Sequence, residues 1–386
     1  MSEMTAAHLG DIAKIERAGV APADIESGTL YVGLEHIESG GRLLDIKPVE
    51  NGDLASTKFA FTPKHVLYGK LRPYLAKIAV PNFSGVCSTD ILPILPGPKL
   101  DRSYLTHFLR QQRMVDYATA RSSGANLPRL SPKSLAEFEI PLPPLDEQRR
   151  IAAILDKADS LRQKRKQAIA LLDSLTQSIF LEMFGDPIAN PHSFPIRAME
   201  EIVAPDRRVT YGILKPGPDI EAGVPYIRVV DIQGGNVLSG QLRRTSVDIS
   251  EQYKRSRLRA GDLLISIRGH VGRMAIVPDE CDGANITQDT ARLAIEGANA
   301  EFVMALLATG GAQHWMAQRT KGIAVRGINL GDLKQFPVIM PNAALQSDFA
   351  RKSRSVRSLI AAAQSHLALA EDSFQSMQYR AFAGEV

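Results

Sequence analysis

From Leu145 to Glu182 the chain contains neither Gly nor Pro. Along this stretch Ile151, Ile154, Ala158, Leu161, Ala168, Leu172, Leu175 and Ile179 fall on the a and d positions of a heptad, interrupted only at Arg165 and Glu182. An apolar period of about 3.5 residues predicts one long helix with a coiled-coil seam. Pro143-Pro144 and the acids Asp146 and Glu147 mark its start, the charges matching the positive end of a helix dipole. Gly185-Asp186-Pro187 marks its stop, Gly supplying a left-handed cap and Pro preventing resumption. At about 1.5 Å per residue the helix spans roughly 57 Å. A second stripe runs from about Asn342 to Arg380, through Val356, Leu359, Ile360, Ala363, Leu367, Ala370, Phe374 and Met377. It is richer in Ala and less regular.

Upstream of each helical stretch the pattern changes to short β-rich runs broken by Gly and Pro. Thr29–Gly33, Ala76–Val80, Val86–Leu95 and Glu137–Leu142 are such runs; so are Tyr226–Ile232, Asp262–Arg268, Arg273–Val277 and Phe336–Met340. Helical stretches near 101–119 and 299–318 interrupt them. The pattern predicts two mixed α/β globules, at 1–143 and 186–341, each followed by a long helix, at 144–185 and 342–386.

The two halves repeat each other. Gly85, Thr89, Leu95, Arg121, Gly124, Leu135, Phe138, Pro143, Gln148, Leu161, Leu171 and Phe184 each recur 198 positions later, from Gly283 to Phe382. Tyr31–Ile37 aligns with Tyr226–Ile232, and Leu71-Arg72 with Ile267-Arg268. A single long-period duplication predicts pseudo-two-fold symmetry, since a solenoid needs several short repeats. The simplest packing makes the helices an antiparallel pair that separates the globules. The competing expectation is that each helix docks on its own globule as an ordinary amphipathic helix.

Composition adds limits. With 386 residues, 44% hydrophobic and 23% charged, the chain reads as a globular protein of two or more domains. Its net charge of +4 is mildly basic and by itself weak evidence for nucleic acid. Cys87 and Cys281 form no C-x-x-C pair, and the repeat sets Cys87 opposite Asn285; two reduced thiols and no metal site are expected. No uncharged apolar run reaches the ~18 residues of a spanning helix, and no signal-peptide core is seen, so a cytoplasmic protein without membrane contact is expected.

Catalytic motifs are missing from the sequence. There is no P-loop, no G-x-G-x-x-G after a strand, no H-E-x-x-H, no G-x-S-x-G and no Asn/Asp-Pro-Pro-Tyr. Basic loops take their place. Lys64, Lys70, Arg72 and Lys77 lie among Tyr68 and Tyr74 with no acid between 64 and 77. Arg243, Arg244, Lys254, Arg255, Arg257, Arg259, Arg268 and Arg273 dominate 241–273, with His270 beside them. The loop holding Arg121, Ser123 and Asn126, then Arg129, matches one holding Arg319 and Lys321, then Arg326 and Asn329. Such side chains on Gly-permitted loops reach phosphates and base edges: Arg or Lys reads guanine, Asn reads adenine. As isolated surface charges they would be merely solubilising, but recurrence at matching places favours a DNA-binding set.

The run Ile140-Pro141-Leu142-Pro143-Pro144-Leu145-Asp146-Glu147-Gln148-Arg149-Arg150-Ile151, the long helix and the exit Phe184-Gly185-Asp186-Pro187 resemble the central conserved region of DNA-specificity subunits of Type I restriction–modification systems. Leu9-Gly10-Asp11-Ile12 and Gly261–Ser266 also resemble target-recognition-domain sequence. The second region departs from the pattern: Pro141-Leu142-Pro143-Pro144 becomes Ile339-Met340-Pro341-Asn342, and only Gln346 keeps the helix-start signature. The resemblance implies a non-catalytic chain in which each globule reads one half of a split, asymmetric duplex DNA target. It implies helices that act as a ruler and bind two methyltransferase subunits carrying S-adenosylmethionine, so that this chain binds no cofactor itself. Adenine in each half-site would be methylated after base flipping, and restriction subunits could join the complex. A second reading, a cytosolic coiled-coil scaffold whose globules bind protein, explains the helices and the duplication equally well. It leaves the recurrent Arg-rich loops without a reason. A self-contained nuclease or methyltransferase would need catalytic residues the sequence lacks.

Overall fold

The computed structural model describes residues 5–50, 52–322 and 326–385. Contacts divide the chain into two compact units, Met1–Lys166 with Ser365–Val386, and Gln167–Gln364. The division falls inside both long helices, so each unit holds one globule and a segment of each helix.

In unit 1 the strands used below are β1 (Ala13–Ile15), β2 (Thr29–Val32), β3 (Val66–Gly69), β4 (Ile78–Ala79), β5 (Gly85–Cys87) and β6 (Ile91–Pro96). An antiparallel sheet takes the order β1-β6-β3-β4, while β2 runs parallel to β5 in a five-stranded sheet. Helices α1 (Arg102–Leu109), α2 (Gln112–Ala120) and α3 (Leu145–Phe184) follow. Unit 2 repeats this with β7 (Thr210–Tyr211), β8 (Val224–Ile227), β9 (Leu263–Ser266), β10 (Met274–Ile276), β11 (Asn285–Ile286) and β12 (Thr290–Leu293). Its antiparallel order is β7-β12-β9-β10, with β8 parallel to β11. Helices α4 (Ala300–Ala308), α5 (Gly310–Arg319) and α6 (Ala343–Ala383) complete it.

Backbone pairing corrects the uniform offset read from side chains. Tyr31 pairs with Val86 and Tyr226 with Asn285, so Val86 rather than Cys87 answers Asn285. The Lys70 N–H donates to Asp90 O (2.9 Å) as Ile267 N–H donates to Asp289 O (2.8 Å). Leu71-Arg72 therefore answers Arg268-Gly269, one residue on from the alignment of identical side chains. Loops absorb single-residue length changes at no cost to the sheet, whereas a slip inside a strand would turn every side chain to the wrong face.

At the helices the two repeats come back into step. Buried Gln148 accepts from the Asp101 N–H (2.8 Å) and donates to Lys99 O and Pro143 O (2.9 Å each). Gln346 accepts from the Asn299 N–H (2.9 Å) and donates to Pro341 O (2.8 Å). Asp101 and Asn299 in turn cap α1 and α4. The one helix-start residue that recurs thus ties each long helix to the globule before it. Buried amide pairing of this kind leaves unsatisfied groups if either side is removed.

The apolar stripe of α3 lies one residue from its expected place. In unit 1, Ile151 is buried and Ala158 half-buried, but Ile154 and Leu161 are exposed (39% and 53%). Ala152 and Leu155 are buried instead, about 100° round the helix from the expected line. Farther along, the face turned to α6 is polar. The Arg162 guanidinium lies 4.5 Å from the Phe374 ring, Lys166 pairs with Glu371 (2.8 Å) and Arg165 donates to His366 O (2.8 Å). Later α3 residues meet earlier α6 residues, so the helices are antiparallel here. In unit 2, Ala168 and Leu175 are exposed, while Leu172 and Ile179 are half-buried. Phe180 and Phe184 are buried in the unit 2 core with Phe302 and Phe349. On α6, Val356 is buried and Ala363, Leu367, Ala370 and Met377 half-buried, but Leu359 is 57% exposed. A heptad read from apolar residues alone misses a seam in which Arg162 packs on Phe374 and Lys166 pairs with Glu371.

Candidate nucleic-acid interface

Each globule builds the same small platform where its central strand ends. Past β3, Lys70 O accepts from the Leu130 N–H (2.9 Å) and the Arg72 N–H donates to Pro128 O (2.7 Å). Ser123 and Arg129 exchange both backbone hydrogen bonds (3.0 and 2.8 Å). Past β9, Ile267 O accepts from the Ile328 N–H (2.9 Å), the Gly269 N–H donates to Arg326 O (2.9 Å), and Lys321 and Gly327 exchange both bonds (2.9 Å each). The tight loops turn on Gly124 (φ 108°) and Gly322 (φ 112°). Two sequence-distant segments are thereby pinned beside one strand end in each unit.

The side chains on the two platforms differ. In unit 1, Arg72, Ser123 and Arg129 stand exposed on the platform, with Lys70 half-buried. Arg72 sits at φ 52°, where its structural counterpart is Gly269 at φ 72°. A left-handed conformation disfavours a side chain by roughly 1–2 kcal/mol, and such strain marks positions where function holds the residue. Arg129 pairs with Asp90 (3.0 Å). Tyr74 (51% exposed) and Asn126 flank the platform. Lys77 is set apart, donating to Leu34 O (2.6 Å).

In unit 2, Arg268, Lys321 and Asn329 line a concavity of about 570 Å3 with Gln288, Asp289, Gly327 and Ile328. Arg268 reaches Gln288 Oε1 (3.4 Å), and exposed Arg326 lies beside it. Asn329 Oδ1 accepts from the Asp332 N–H (2.8 Å), so that oxygen caps a short helix, as Ser131 does in unit 1. His270 is exposed, and Arg273 lines a different cavity, with Asp173 and Arg357.

Arg121 and Arg319 form a repeated brace. Each guanidinium stacks on the aromatic ring four residues earlier, Tyr117 (3.4 Å) or Trp315 (3.8 Å). Each of those rings meets a Phe edge-on, Phe138 or Phe336. Stacking holds the guanidinium planes in place.

Gln288, Asp289 and Asp90 escaped the sequence reading. Their signal is Ser88-Thr89-Asp90 against Thr287-Gln288-Asp289, which the one-residue slip concealed. Gln is an adenine reader in the same sense as Asn. The segment leading into each central strand carries a second equivalence with inverted charge. His65 Nδ1 lies 3.0 Å from the Thr62 N–H while its Nε2 meets Glu16 (3.0 Å). Asp262 accepts from the Arg259 N–H (2.7 Å) and pairs with Arg207 (2.6 Å). Hydrogen bonds from Lys14 first, then His65, hold the Glu16 carboxyl below its ordinary value. Both cysteines are buried, and burial pushes the Cys87 thiol up to about 12, so neither is a ready nucleophile.

Comparison with known proteins agrees with this architecture. Residues 1–171 match the Type I restriction modification DNA specificity domain. The EcoBI Type I specificity subunit of Escherichia coli is 31% identical over 69% of this chain and 62% of its own length. The EcoDI specificity subunit of Escherichia coli is 32% identical over 40% of this chain and 36% of its own. The chain therefore spans less than two thirds of either relative. A chain solved in work on complex assembly and conformational transition of the type I R-M system shares the fold, with a TM-score of 0.61 at 19% identity, covering 99% of this chain and 98% of that one. The chain thus carries a Type I restriction modification DNA specificity domain over residues 1–171, and its fold is that of the solved chain. Among the described residues, no helix is long and apolar enough to cross a membrane.

Proposed function

We propose that this chain is the DNA-reading subunit of a Type I restriction–modification enzyme, each platform reading one half of a split, asymmetric target. The observation that carries this is one backbone frame presenting two different polar sets. Lys70, Arg72, Ser123 and Arg129 stand on one platform, and Arg268, Gln288, Lys321 and Arg326 on the other. Shared geometry sets both loops to a groove alike, and unlike side chains make the half-sites unlike.

The partners in this reading are two methyltransferase subunits, which bring S-adenosylmethionine and the catalytic residues; a restriction subunit joins the same assembly. Leu161 and Leu171 on α3 recur as Leu359 and Leu369 on α6, and all four are exposed (53%, 72%, 57% and 62%). Exposed leucines on repeat-equivalent helix positions suit two copies of one partner. Each unit contains one leucine from each helix.

The test is binding of the full chain with its methyltransferase partner to duplex libraries at several salt concentrations. Sequence-selective affinity that falls steeply with salt supports the reading. Salt-insensitive binding, or none, favours the protein scaffold.

A further inference from the structure

A second cationic concavity in unit 2 lies where the chain enters β9, away from the platform at its exit. Its volume is about 740 Å3, and its lining includes Arg208, Lys254, Arg255, Arg259, Arg292 and Lys334. Asp206 and Asp282 are its acids, and Arg207 and Arg257 complete its cations.

The wall is organised by Arg292, which is 3% exposed. Its Nη1 donates to Arg255 O (2.9 Å) and Arg257 O (3.2 Å), and its Nη2 donates to Arg208 O (2.9 Å). One buried guanidinium thus gathers three cation-bearing positions round itself. Its Nε, also buried, has no hydrogen-bond partner. Arg207 and Arg257 are paired, to Asp262 and Glu251. Among the described residues Arg208, Lys254, Arg255, Arg259 and Lys334 have no salt bridge. Clustering unpaired like charges costs free energy that a multivalent anion relieves. The lining has no aromatic ring on which a base could stack, so the chemistry favours phosphate over nucleobase.

We propose that this concavity is a phosphate-binding site separate from the reading platform. Its occupant is either a free polyphosphate, such as a nucleoside triphosphate, or a DNA backbone segment. The site belongs to unit 2 alone: where Asp262 pairs with Arg207 here, His65 pairs with Glu16 in unit 1, and Arg292 has a proline, Pro93, at its unit 1 counterpart.

The test compares the full chain with the triple variant Arg208→Gln, Lys254→Gln, Arg255→Gln, whose positions are exposed and none of whose side chains holds Arg292 in place. A control triple, Arg197→Gln, Lys215→Gln, Arg380→Gln, removes the same charge elsewhere. Binding of inorganic tripolyphosphate and of duplex DNA is measured by titration calorimetry, with thermal melts to confirm folding. Loss of tripolyphosphate affinity by tenfold or more in the first variant only identifies a free polyphosphate. No tripolyphosphate binding, with a DNA salt slope reduced by about two to three in the first variant only and sequence preference retained, identifies the DNA backbone. Equal effects in both triples, or none in either, overturn the proposal. If the first triple does not fold, Lys254→Gln alone is read against Lys215→Gln, either a loss of tripolyphosphate affinity or a salt slope lower by about one in Lys254→Gln only supporting the proposal, and equal effects or none overturning it.

Discussion

The two units share a hydrogen-bond skeleton but fill it differently. In unit 2, Phe184 packs with Phe180, Phe302 and Phe349, ring centroids 5.0–5.8 Å from it. At the matching places unit 1 has Phe382, Gln378, Tyr104 and Ile151; Gln378 donates weakly to His107 O (3.4 Å), and Tyr104 donates to Pro141 O (2.8 Å). The buried ion pair is likewise carboxylate–Arg in unit 2 and His–carboxylate in unit 1. Backbone pairing defines the unit, and the core chemistry can be exchanged so long as each buried polar group keeps a partner.

The comparison is broken most severely at the aromatic cluster. Phe180→Ala should destabilise by about 3–5 kcal/mol, the usual cost of emptying a packed aromatic site. Gln378→Ala should cost only about 1 kcal/mol, since it deletes one long hydrogen bond. Calorimetric melts of the full chain check this, and equal losses would contradict a chemically distinct core. Next comes the ion pair. Asp262→Ala leaves the mostly buried Arg207 unpaired, at about 3–5 kcal/mol. His65→Ala should cost less, because Glu16 keeps Lys14 at 2.9 Å; the reverse order would undo the proposed equivalence.

Smaller effects separate function from stability. Arg72→Gly should raise stability by about 1 kcal/mol by relieving its left-handed backbone, while weakening one half-site by about tenfold. Arg268→Ala should weaken only the other half-site and leave the melt unchanged. Loss at both half-sites in either variant would count against modular reading. The least effect is acid sensitivity. Glu16 is held below its ordinary value of 4.5, and Asp156, mainly through His107 and then Ser103, below 3.8. Depressed carboxyls stabilise above those values, and the contribution is lost as pH falls through the lower folded values. Glu16→Gln with Asp156→Asn should therefore melt below the parent chain at pH 7, the curves converging in acid as the lowered carboxyls take up their protons. A gap that widens in acid would contradict that sign.

Much of this was legible in the sequence, and the failures have physical causes. Gly185-Asp186-Pro187 and Pro143-Pro144 bounded α3 because caps and breakers act locally. The Gln148–Gln346 match was visible, but not its role, because its partners Asp101 and Asn299 lie 47 residues upstream. The α3 stripe was displaced because Leu161 and Leu175 look like seam residues yet are exposed, while Arg162 packs against Phe374 and Lys166 pairs with Glu371. The positions of Arg273 and Lys77 could not be read from charge alone: Arg273 lines a cavity apart from the platform, and Lys77 donates to Leu34 O. Gln288 was missed because a single loop residue shifted the repeat.

The most direct test of two unlike readers on one chain is single-molecule methylome sequencing of cells expressing the chain with its methyltransferase partner. With the parent chain the partner should methylate adenine in one asymmetric split motif, and Arg268→Ala should relax one half of that motif alone. A motif that relaxes in both halves, or no motif at all with an active partner present, would contradict the account.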